Sequence, residues 1–171
     1  NRLKLGIDTI YIGGGTPTSI SASQLNVIMD SVSANFDLSK VREYSVEAGR
    51  ADTITPAKLK VIKDGGASRI SVNPQTFNDE VLRIIGRQHT AKDTVNAFRN
   101  AREAGFDNIN MDLIAGLPGD TFESFRESLN KSMELSPESI TVHTLTIKRS
   151  AKLYEEKPEY FCKTPAAEMA D

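Results

Sequence analysis

Residues 9–18, TIYIGGGTPT, decide the fold. A run of β-branched and aromatic residues, Thr9 to Ile12, stops at three glycines and a proline, which is typical of a short strand that ends in a turn. GGGTP lacks the G-x-G-x-x-G spacing of a dinucleotide fingerprint and the G-K-[ST] ending of a phosphate loop, and Pro17 removes an N–H donor. The bare backbone therefore favours either a tight strand-to-helix turn or a close approach of main-chain carbonyls to a cationic ligand.

The same type of strand recurs along the chain. The predicted strands are residues 7–12, 43–48, 69–74, 109–114 and 139–145. Each of the first four is followed by a helical pattern, and the pattern over residues 78–104 divides near Gly86. Helix starts are predicted by the capping-box-like Ser21–Gln24, by Thr55-Pro56 and by an acidic turn from Asp120 to Glu123. Strict β/α alternation predicts parallel strands with right-handed crossovers, either in an open doubly wound sheet or in an αβ barrel.

Polar residues and glycines follow the strand ends. In both architectures, ligands bind beyond the carboxyl ends of the strands. The residues there are Gly13 to Gly15 with Thr16, then Glu47, Asn73 with Gln75, Asp112, and His143. Each of them alone could cap a helix or solvate a turn, but together they favour a binding site at one rim.

Composition excludes several classes of function. The 171 residues carry a formal net charge of −2, and the Lys and Arg residues are dispersed, so we expect no nucleic-acid partner. No apolar run approaches the length of a membrane span, so no membrane partner is expected. The single cysteine, Cys162, excludes an internal disulfide framework and a metal site made only of this chain's thiolates. No signal-peptide pattern opens the sequence, which makes a cytoplasmic location the expectation.

Four blocks carry a family resemblance over residues 7–150. They are GGGTPT (13–18), SVEAGR (45–50), RISVNPQTFNDEVLRIIGRQH (69–89) and NINMDLIAGLPGDTFESF (108–125). In this order and spacing they resemble the radical S-adenosylmethionine enzymes, and within them the oxygen-independent coproporphyrinogen III dehydrogenase (oxidase) group. The phrases VEAGRADTI and VHTLTIKR look most like one subgroup of that group.

The resemblance implies a set of residues that bind S-adenosylmethionine. In the family pattern, the methionine ammonium group is bound by main-chain oxygens of Gly13, Gly14 and Gly15, followed by Thr16, and by the carboxylate of Glu47. Gln75 and Asp112 contact the ribose hydroxyls, and Arg87 pairs with the methionine carboxylate. Ile114 and either Thr146 or Leu145 lie near the nucleoside. A guanidinium fork suits a carboxylate, and a carboxylate suits an ammonium group. The structural alternatives are an ion partner inside a barrel for Glu47, a solvated helix-end charge for Arg87 and a turn cap for Asp112.

The resemblance also implies a [4Fe–4S] cluster, held by three cysteines at Cys-x3-Cys-x2-Cys spacing. No such motif occurs in the sequence, so this chain has no predicted metal ligands. The family's core is an open barrel of six strands, of which five are predicted here. We therefore expect a partial parallel (βα) barrel of the TIM-barrel type. We also expect residues 1–171 to be a single incomplete domain that lacks the first strand and the cluster-binding cysteines and is inactive by itself.

For the full-length protein, the resemblance implies oxidative decarboxylation of coproporphyrinogen III to protoporphyrinogen IX in haem biosynthesis by means of a 5′-deoxyadenosyl radical. The partners would be the small-molecule porphyrinogen and an unidentified electron donor. His89, His143, Lys148 and Arg149 are candidate substrate contacts by charge alone, and surface solvation is the alternative for most of them. Two other functions stay open: a haem chaperone of the same superfamily, and an αβ-barrel metabolic protein that binds another nucleotide or a phosphorylated ligand.

Overall fold

The computed structural model describes residues 6–145. The strands are β1 (Thr9–Ile12), β2 (Glu43–Gly49), β3 (Arg69–Val72), β4 (Ile109–Ala115) and β5 (Ser139–Thr144), and the helices are α1 (Ala22–Asn35), α2 (Pro56–Asp64), α3 (Asp79–Ile84), α4 (Ala91–Glu103) and α5 (Phe122–Glu134). Short 3-10 turns lie at Pro17–Ser19, Leu38–Lys40 and Ala51–Thr53. The five predicted strands are all present, and the helical pattern over residues 78–104 divides into two helices as expected.

The strands form one parallel sheet in the order β1-β2-β3-β4-β5. Each strand therefore pairs with the next one along the chain. A doubly wound sheet reverses its strand order at a switch point, whereas a barrel keeps the order sequential. The prediction of a partial parallel barrel is thus confirmed, and the alternative of a doubly wound sheet is wrong for this part of the chain.

One face of the sheet is apolar and buried under the helices. Because side chains alternate along a strand, residues such as Val46, Ile70, Val72, Met111 and Leu113 share this face. The helices contribute Leu25, Met29, Leu59, Ile62, Phe98 and Phe125 to the same core cluster. Burial of each large aliphatic side chain stabilises the fold by about 1.5–3 kcal/mol, so this core fixes how the strands are arranged.

The other face of the sheet is polar and corresponds to the inside of the barrel. Arg69 donates to Ser139 Oγ at 3.2 Å, Ser139 donates to Asn110 Oδ1 at 2.7 Å, and Asn110 donates to Asp112 Oδ1 at 2.6 Å. Arg69 also lies 3.5 Å from the carboxylate of Glu43. This chain of hydrogen bonds crosses the sheet and ends on Asp112, near the carboxyl ends of the strands.

Helix caps agree with the sequence at two starts and differ at a third. Ser21 and Gln24 form a reciprocal capping box on α1, and Thr55 caps α2. Helix α5 begins at Phe122, two residues after the start of the predicted acidic turn, because the hydroxyl of Thr121 is the cap and Asp120 lies buried before it. Within residues 6–145, no helix is both long enough and apolar enough to cross a membrane.

Candidate functional site

A cavity of about 250 Å³ opens at the carboxyl ends of the strands. Its lining residues are Gly15, Thr16, Glu47, Gly49, Arg50, Asn73, Gln75, Arg87, Asp112 and His143. They lie within or just after the five strands, except for Arg87, which lies between α3 and α4. The fold therefore brings together side chains that are up to 128 positions apart in the sequence, from Gly15 to His143.

Six of the ten residues that the sequence nominated for cofactor binding line this cavity: Gly15, Thr16, Glu47, Gln75, Arg87 and Asp112. Gly13 and Gly14 precede the lining segment. Ile114 is partly buried two positions after Asp112 on β4, so it shares the polar face of the sheet. Thr146 lies outside the described residues, and its role stays a prediction.

The carboxylate of Glu47 is held by two donors from the first strand and its turn. The Tyr11 hydroxyl donates to Glu47 Oε2 at 2.8 Å, and the Gly14 amide approaches the same oxygen at 3.4 Å. A Cβ at Gly13 would overlap the Tyr11 ring, so the bare backbone there leaves the ring room beside Glu47. The pKa of Tyr11 is raised, mainly by partial burial and secondly by the hydrogen bond to Glu47. The other oxygen, Oε1, has no hydrogen bond to any described residue and is available to a ligand.

The three glycines differ in what they permit. Gly14 has φ +125°, in the region that favours glycine. At Gly15 the φ angle is not positive, and an added Cβ would meet no described atom within 4 Å. The Gly15 carbonyl accepts a hydrogen bond from the Thr16 hydroxyl. The fold itself thus leaves room for a side chain at Gly15, a residue that lines the cavity.

Gln75 has a strained backbone that strand β4 holds in place. Its φ is +67°, an unfavourable value for a residue with a Cβ, with a typical penalty of about 1–2 kcal/mol. The Gln75 amide donates to the Asp112 carbonyl at 3.0 Å, and the Ile114 amide donates to the Gln75 carbonyl at 2.9 Å. These two bonds fix buried Gln75 beside Asp112 at the cavity.

The basic side of the cavity is defined as Arg50 and Arg87, which line it, together with Asp52, which pairs with Arg50. Arg50 donates to both carboxylate oxygens of Asp52, at 3.2 Å from Nε and 2.9 Å from Nη2. Arg87 has no carboxylate oxygen within 4 Å among residues 6–145. Burial and then the charge of Arg50 lower the pKa of Arg87, while Asp52 opposes them. A partly buried guanidinium that lacks a counterion is suited to bind an anion.

His89 lies behind this basic side and not on the surface. Its side chain is 0% exposed, and Nδ1 lies 3.6 Å from Asp52 Oδ1. Burial lowers the pKa of His89, and the Pro74 backbone and the charge of Asp52 only partly offset that effect. The idea that His89 contacts substrate, and the alternative that it is a solvated charge, are both wrong because packing buries it. His143, by contrast, is exposed at the cavity rim, and Lys148 and Arg149 lie outside the described residues.

Sequence reasoning missed three residues at or beside the cavity: Tyr11, Gly49 and Arg50. Side chains alternate along a strand, and this alternation could have placed Tyr11 on the same face of the sheet as Glu47. Arg50 directly follows β2, and its position at a strand end was a usable signal. Gly49, with φ +68°, lies where the pairing of β2 with β3 shifts register, which a sequence pattern does not reveal.

A larger cavity, of about 350 Å³, lies on the outside of the barrel wall between α2 and α4. Its charged lining residues are Lys60, Lys63, Asp64 and Glu103. Lys60 and Asp64 already pair at 2.8 Å, and surface pairs of this kind contribute little. No buried polar atom without a partner among the described residues belongs to this lining, so the cavity at the strand ends is the better candidate site.

Comparisons with known proteins agree in one family. The family model described as the Radical SAM superfamily matches residues 1–131. The chain is 46% identical over 155 residues to the oxygen-independent coproporphyrinogen-III oxidase-like protein HemZ of Bacillus subtilis, covering 90% of this chain and 31% of that protein. It is 41% identical over 149 residues to the heme chaperone HemW of the same organism, covering 86% of this chain and 39% of that protein.

A solved structure gives the same result in three dimensions. Coproporphyrinogen III oxidase (HemN) from Escherichia coli, described as a radical SAM enzyme, superposes with a TM-score of 0.78 at 31% identity, covering 88% of this chain and 34% of that one. The sequence therefore spans roughly a third of the length of the proteins it matches.

Proposed function

This chain belongs to the Radical SAM superfamily, whose cofactors are S-adenosylmethionine and a [4Fe–4S] cluster, and from that membership we propose that the cavity at the strand ends binds S-adenosylmethionine. The observation that carries the proposal is the convergence of Glu47, Gln75, Arg87 and Asp112 on one cavity of about 250 Å³. The family pattern nominated these four residues separately, from four different segments of the sequence.

The charges of the cavity suit the ligand. Oε1 of Glu47 and the guanidinium of Arg87 have no partner of opposite charge within residues 6–145, so Oε1 can accept from an ammonium group and Arg87 can pair with a carboxylate. Gln75 and Asp112 offer acceptors for ribose hydroxyls. Asn73 adds a buried Oδ1 atom that has no hydrogen-bond partner among residues 6–145. An unpaired buried acceptor is unfavourable unless a ligand or water supplies a donor.

The residues present do not fit the cluster. A [4Fe–4S] cluster of this kind needs three cysteine thiolates, and the sequence holds only Cys162. We propose that the cluster ligands are supplied by protein outside this sequence and that the 171 residues form an incomplete core domain. Anaerobic expression of the chain with iron and sulfide should therefore give no cluster absorbance in the visible spectrum. A stoichiometric cluster bound to this chain would contradict the proposal.

For the whole protein we propose oxidative decarboxylation of coproporphyrinogen III in haem biosynthesis. S-adenosylmethionine, when bound and reductively cleaved, supplies a 5′-deoxyadenosyl radical that removes hydrogen atoms from propionate side chains. The residues of this chain orient the cofactor: Glu47 and Arg87 hold its amino-acid part, and Asp112 and Gln75 hold its ribose. Support comes from the 46% identity to a coproporphyrinogen-III oxidase-like protein and the 31% identity to an oxidase of solved structure.

A second candidate is a haem chaperone of the same superfamily. The observation that favours it is the 41% identity over 149 residues to a protein named heme chaperone, which is close to the 46% of the oxidase-like relative. Both candidates share the cofactor site and differ in what they do with a tetrapyrrole. Family membership decides against the third alternative, a metabolic barrel protein outside this superfamily.

One experiment separates the two candidates. The full-length protein, with its cluster reconstituted anaerobically, is incubated with S-adenosylmethionine, dithionite and coproporphyrinogen III, and CO2, 5′-deoxyadenosine and protoporphyrinogen IX are measured. Oxidative decarboxylation predicts all three products and their loss in Arg87→Ala, with Arg42→Ala as the control because Arg42 is an exposed residue paired with Asp8. Stoichiometric haem binding without CO2 release would instead support the chaperone. Failure to bind S-adenosylmethionine would overturn the proposed site.

A further inference from the structure

We propose that Arg50 is a second carboxylate-binding residue of the cavity, and that Arg50 and Arg87 together form a pair of guanidinium groups for one carboxylate of a bound ligand. This inference rests on the proposed function, which brings two sources of carboxylate to the cavity: the methionine part of S-adenosylmethionine and the propionates of a tetrapyrrole. The family pattern assigns no role to Arg50.

Arg50 lies where such a role requires it. It follows Gly49, the last residue of β2, and its side chain lines the same cavity as Arg87. The Arg50 side chain remains 32% exposed, so it is neither sealed inside the protein nor fully solvated. Both side chains line the one cavity, where the charge of Arg50 contributes to the lowered pKa of Arg87. Two like charges held together at a partly buried position favour the binding of an anion between them.

Asp52 does not neutralise both arginines. It accepts from Nε and Nη2 of Arg50, so three of the five guanidinium N–H donors of Arg50 have no acceptor among residues 6–145. Asp52 has no oxygen within 4 Å of Arg87, and buried His89 adds no positive charge in its neutral form. Two arginines and one aspartate thus leave the basic side with one net positive charge. The bidentate contact with Asp52 also fixes the direction of Arg50, so its free donors are already oriented.

The alternative is that Arg50 and Asp52 only brace the turn Ala51–Thr53. If the Arg50–Asp52 ion pair only stabilises this turn, replacing Arg50 changes the stability of the protein but not its affinity for a carboxylate. The two readings therefore differ in ligand binding, which is the quantity to measure.

The test uses the full-length protein with its cluster reconstituted anaerobically, and variants Arg50→Gln and Arg50→Lys. Arg42→Gln is the matched control, because Arg42 directly precedes β2 as Arg50 directly follows it, and because it also pairs with an aspartate, Asp8, at 3.0 Å. The probes are S-adenosylmethionine and its decarboxylated form, and coproporphyrin III and its tetramethyl ester. Dissociation constants are measured by equilibrium dialysis, and thermal unfolding is followed in parallel.

We expect Arg50→Gln to raise the Kd of one carboxylate probe about tenfold, Arg50→Lys to raise it less, and Arg42→Gln to leave it unchanged. If affinity falls for S-adenosylmethionine and does not change for its decarboxylated form, Arg50 and Arg87 bind the methionine carboxylate. If affinity falls for coproporphyrin III and does not change for its ester, they bind a propionate. If Arg50→Gln fails to fold, Arg50→Lys carries the test.

Two results would count against the inference, and they can be told apart. If wild type binds S-adenosylmethionine and both Arg50 variants bind every probe as wild type does, the inference is wrong and the proposed function stands. If wild type itself binds no S-adenosylmethionine, the proposed function fails and the inference fails with it.

Discussion

The phenol of Tyr11 donates a hydrogen bond of 2.8 Å to Glu47 Oε2 across the neighbouring strands β1 and β2. Together with the Gly14 amide, this bond occupies Oε2, whereas Oε1 has no hydrogen bond to any described residue. The side chain that the family pattern assigns to the ammonium group is therefore oriented by a residue that the pattern does not name.

Removing the phenol should weaken the cofactor site without weakening the fold. We expect Tyr11→Phe to raise the Kd of S-adenosylmethionine about fivefold, because one hydrogen bond that orients Glu47 contributes about 1 kcal/mol. Tyr11 is 68% exposed, so its unfolding free energy should change by less than about 0.5 kcal/mol. Tyr44→Phe is the control: its hydroxyl contacts Met29 Sδ in the core, and its loss should leave Kd unchanged. Equal affinities of wild type and Tyr11→Phe would contradict this role.

Asn110 should position Asp112 from inside the barrel. Its amide donates to Asp112 at 2.6 Å, and its Oδ1 accepts from Ser139 and Thr141. In Asn110→Ala, Asp112 loses its donor and can rotate, so we expect the Kd of S-adenosylmethionine to rise severalfold and stability to fall by about 1–3 kcal/mol.

The control for Asn110→Ala is Ser132→Ala, which removes a buried hydrogen bond of 3.0 Å within α5. This variant should lose stability and keep its affinity, as measured by denaturant unfolding and equilibrium dialysis. A common loss of affinity in both variants would indicate that Asn110 acts only through overall stability.

The strand ends were predictable because their signals are local. The run that stops at Gly13 and the acidic residues at Glu47 and Asp112 each follow a β-rich stretch, and parallel strands must bring such residues to one rim. The sequence could not predict the left-handed backbone of Gln75, because that conformation depends on two hydrogen bonds to the distant strand β4. It also could not predict that His89 is buried, because that depends on how α4 packs against the turn Ala51–Thr53.

Buried His89 should make the stability of the chain depend on pH. Its pKa is lower in the folded chain than the ordinary value of 6.5, so the unfolded chain binds more protons below that value. Stability is then fully present above about pH 7 and falls as the pH decreases through 6.5 towards the folded pKa, with a slope of at most about 1.4 kcal/mol per pH unit. The charged groups that act on His89 are Asp52, Asp93, Arg50 and Arg87.

Urea unfolding of the chain between pH 5.5 and 8 measures this dependence. We expect His89→Gln to flatten the slope, whatever its own stability, and the exposed rim variant His143→Gln to retain the wild-type slope. Identical slopes in wild type and His89→Gln would show that protonation of His89 does not oppose folding.

The variant Gly15→Ala tests why the turn after β1 consists of glycines, which have no side chain. Gly15 has no positive φ, and an added Cβ would touch no described atom within 4 Å, so Gly15→Ala should keep the unfolding free energy within about 0.5 kcal/mol of wild type. Gly15 lines the cavity, however, and we expect the Kd of S-adenosylmethionine to rise at least about tenfold because the added methyl group keeps the ligand from approaching the main chain. The control is Gly65→Ala, whose Cβ would collide with Met29 at 2.6 Å and which should destabilise the core without a specific effect on affinity. Unchanged binding in a folded Gly15→Ala protein would mean that the glycines serve only the turn, and the carbonyl approach to an ammonium group would have to be abandoned.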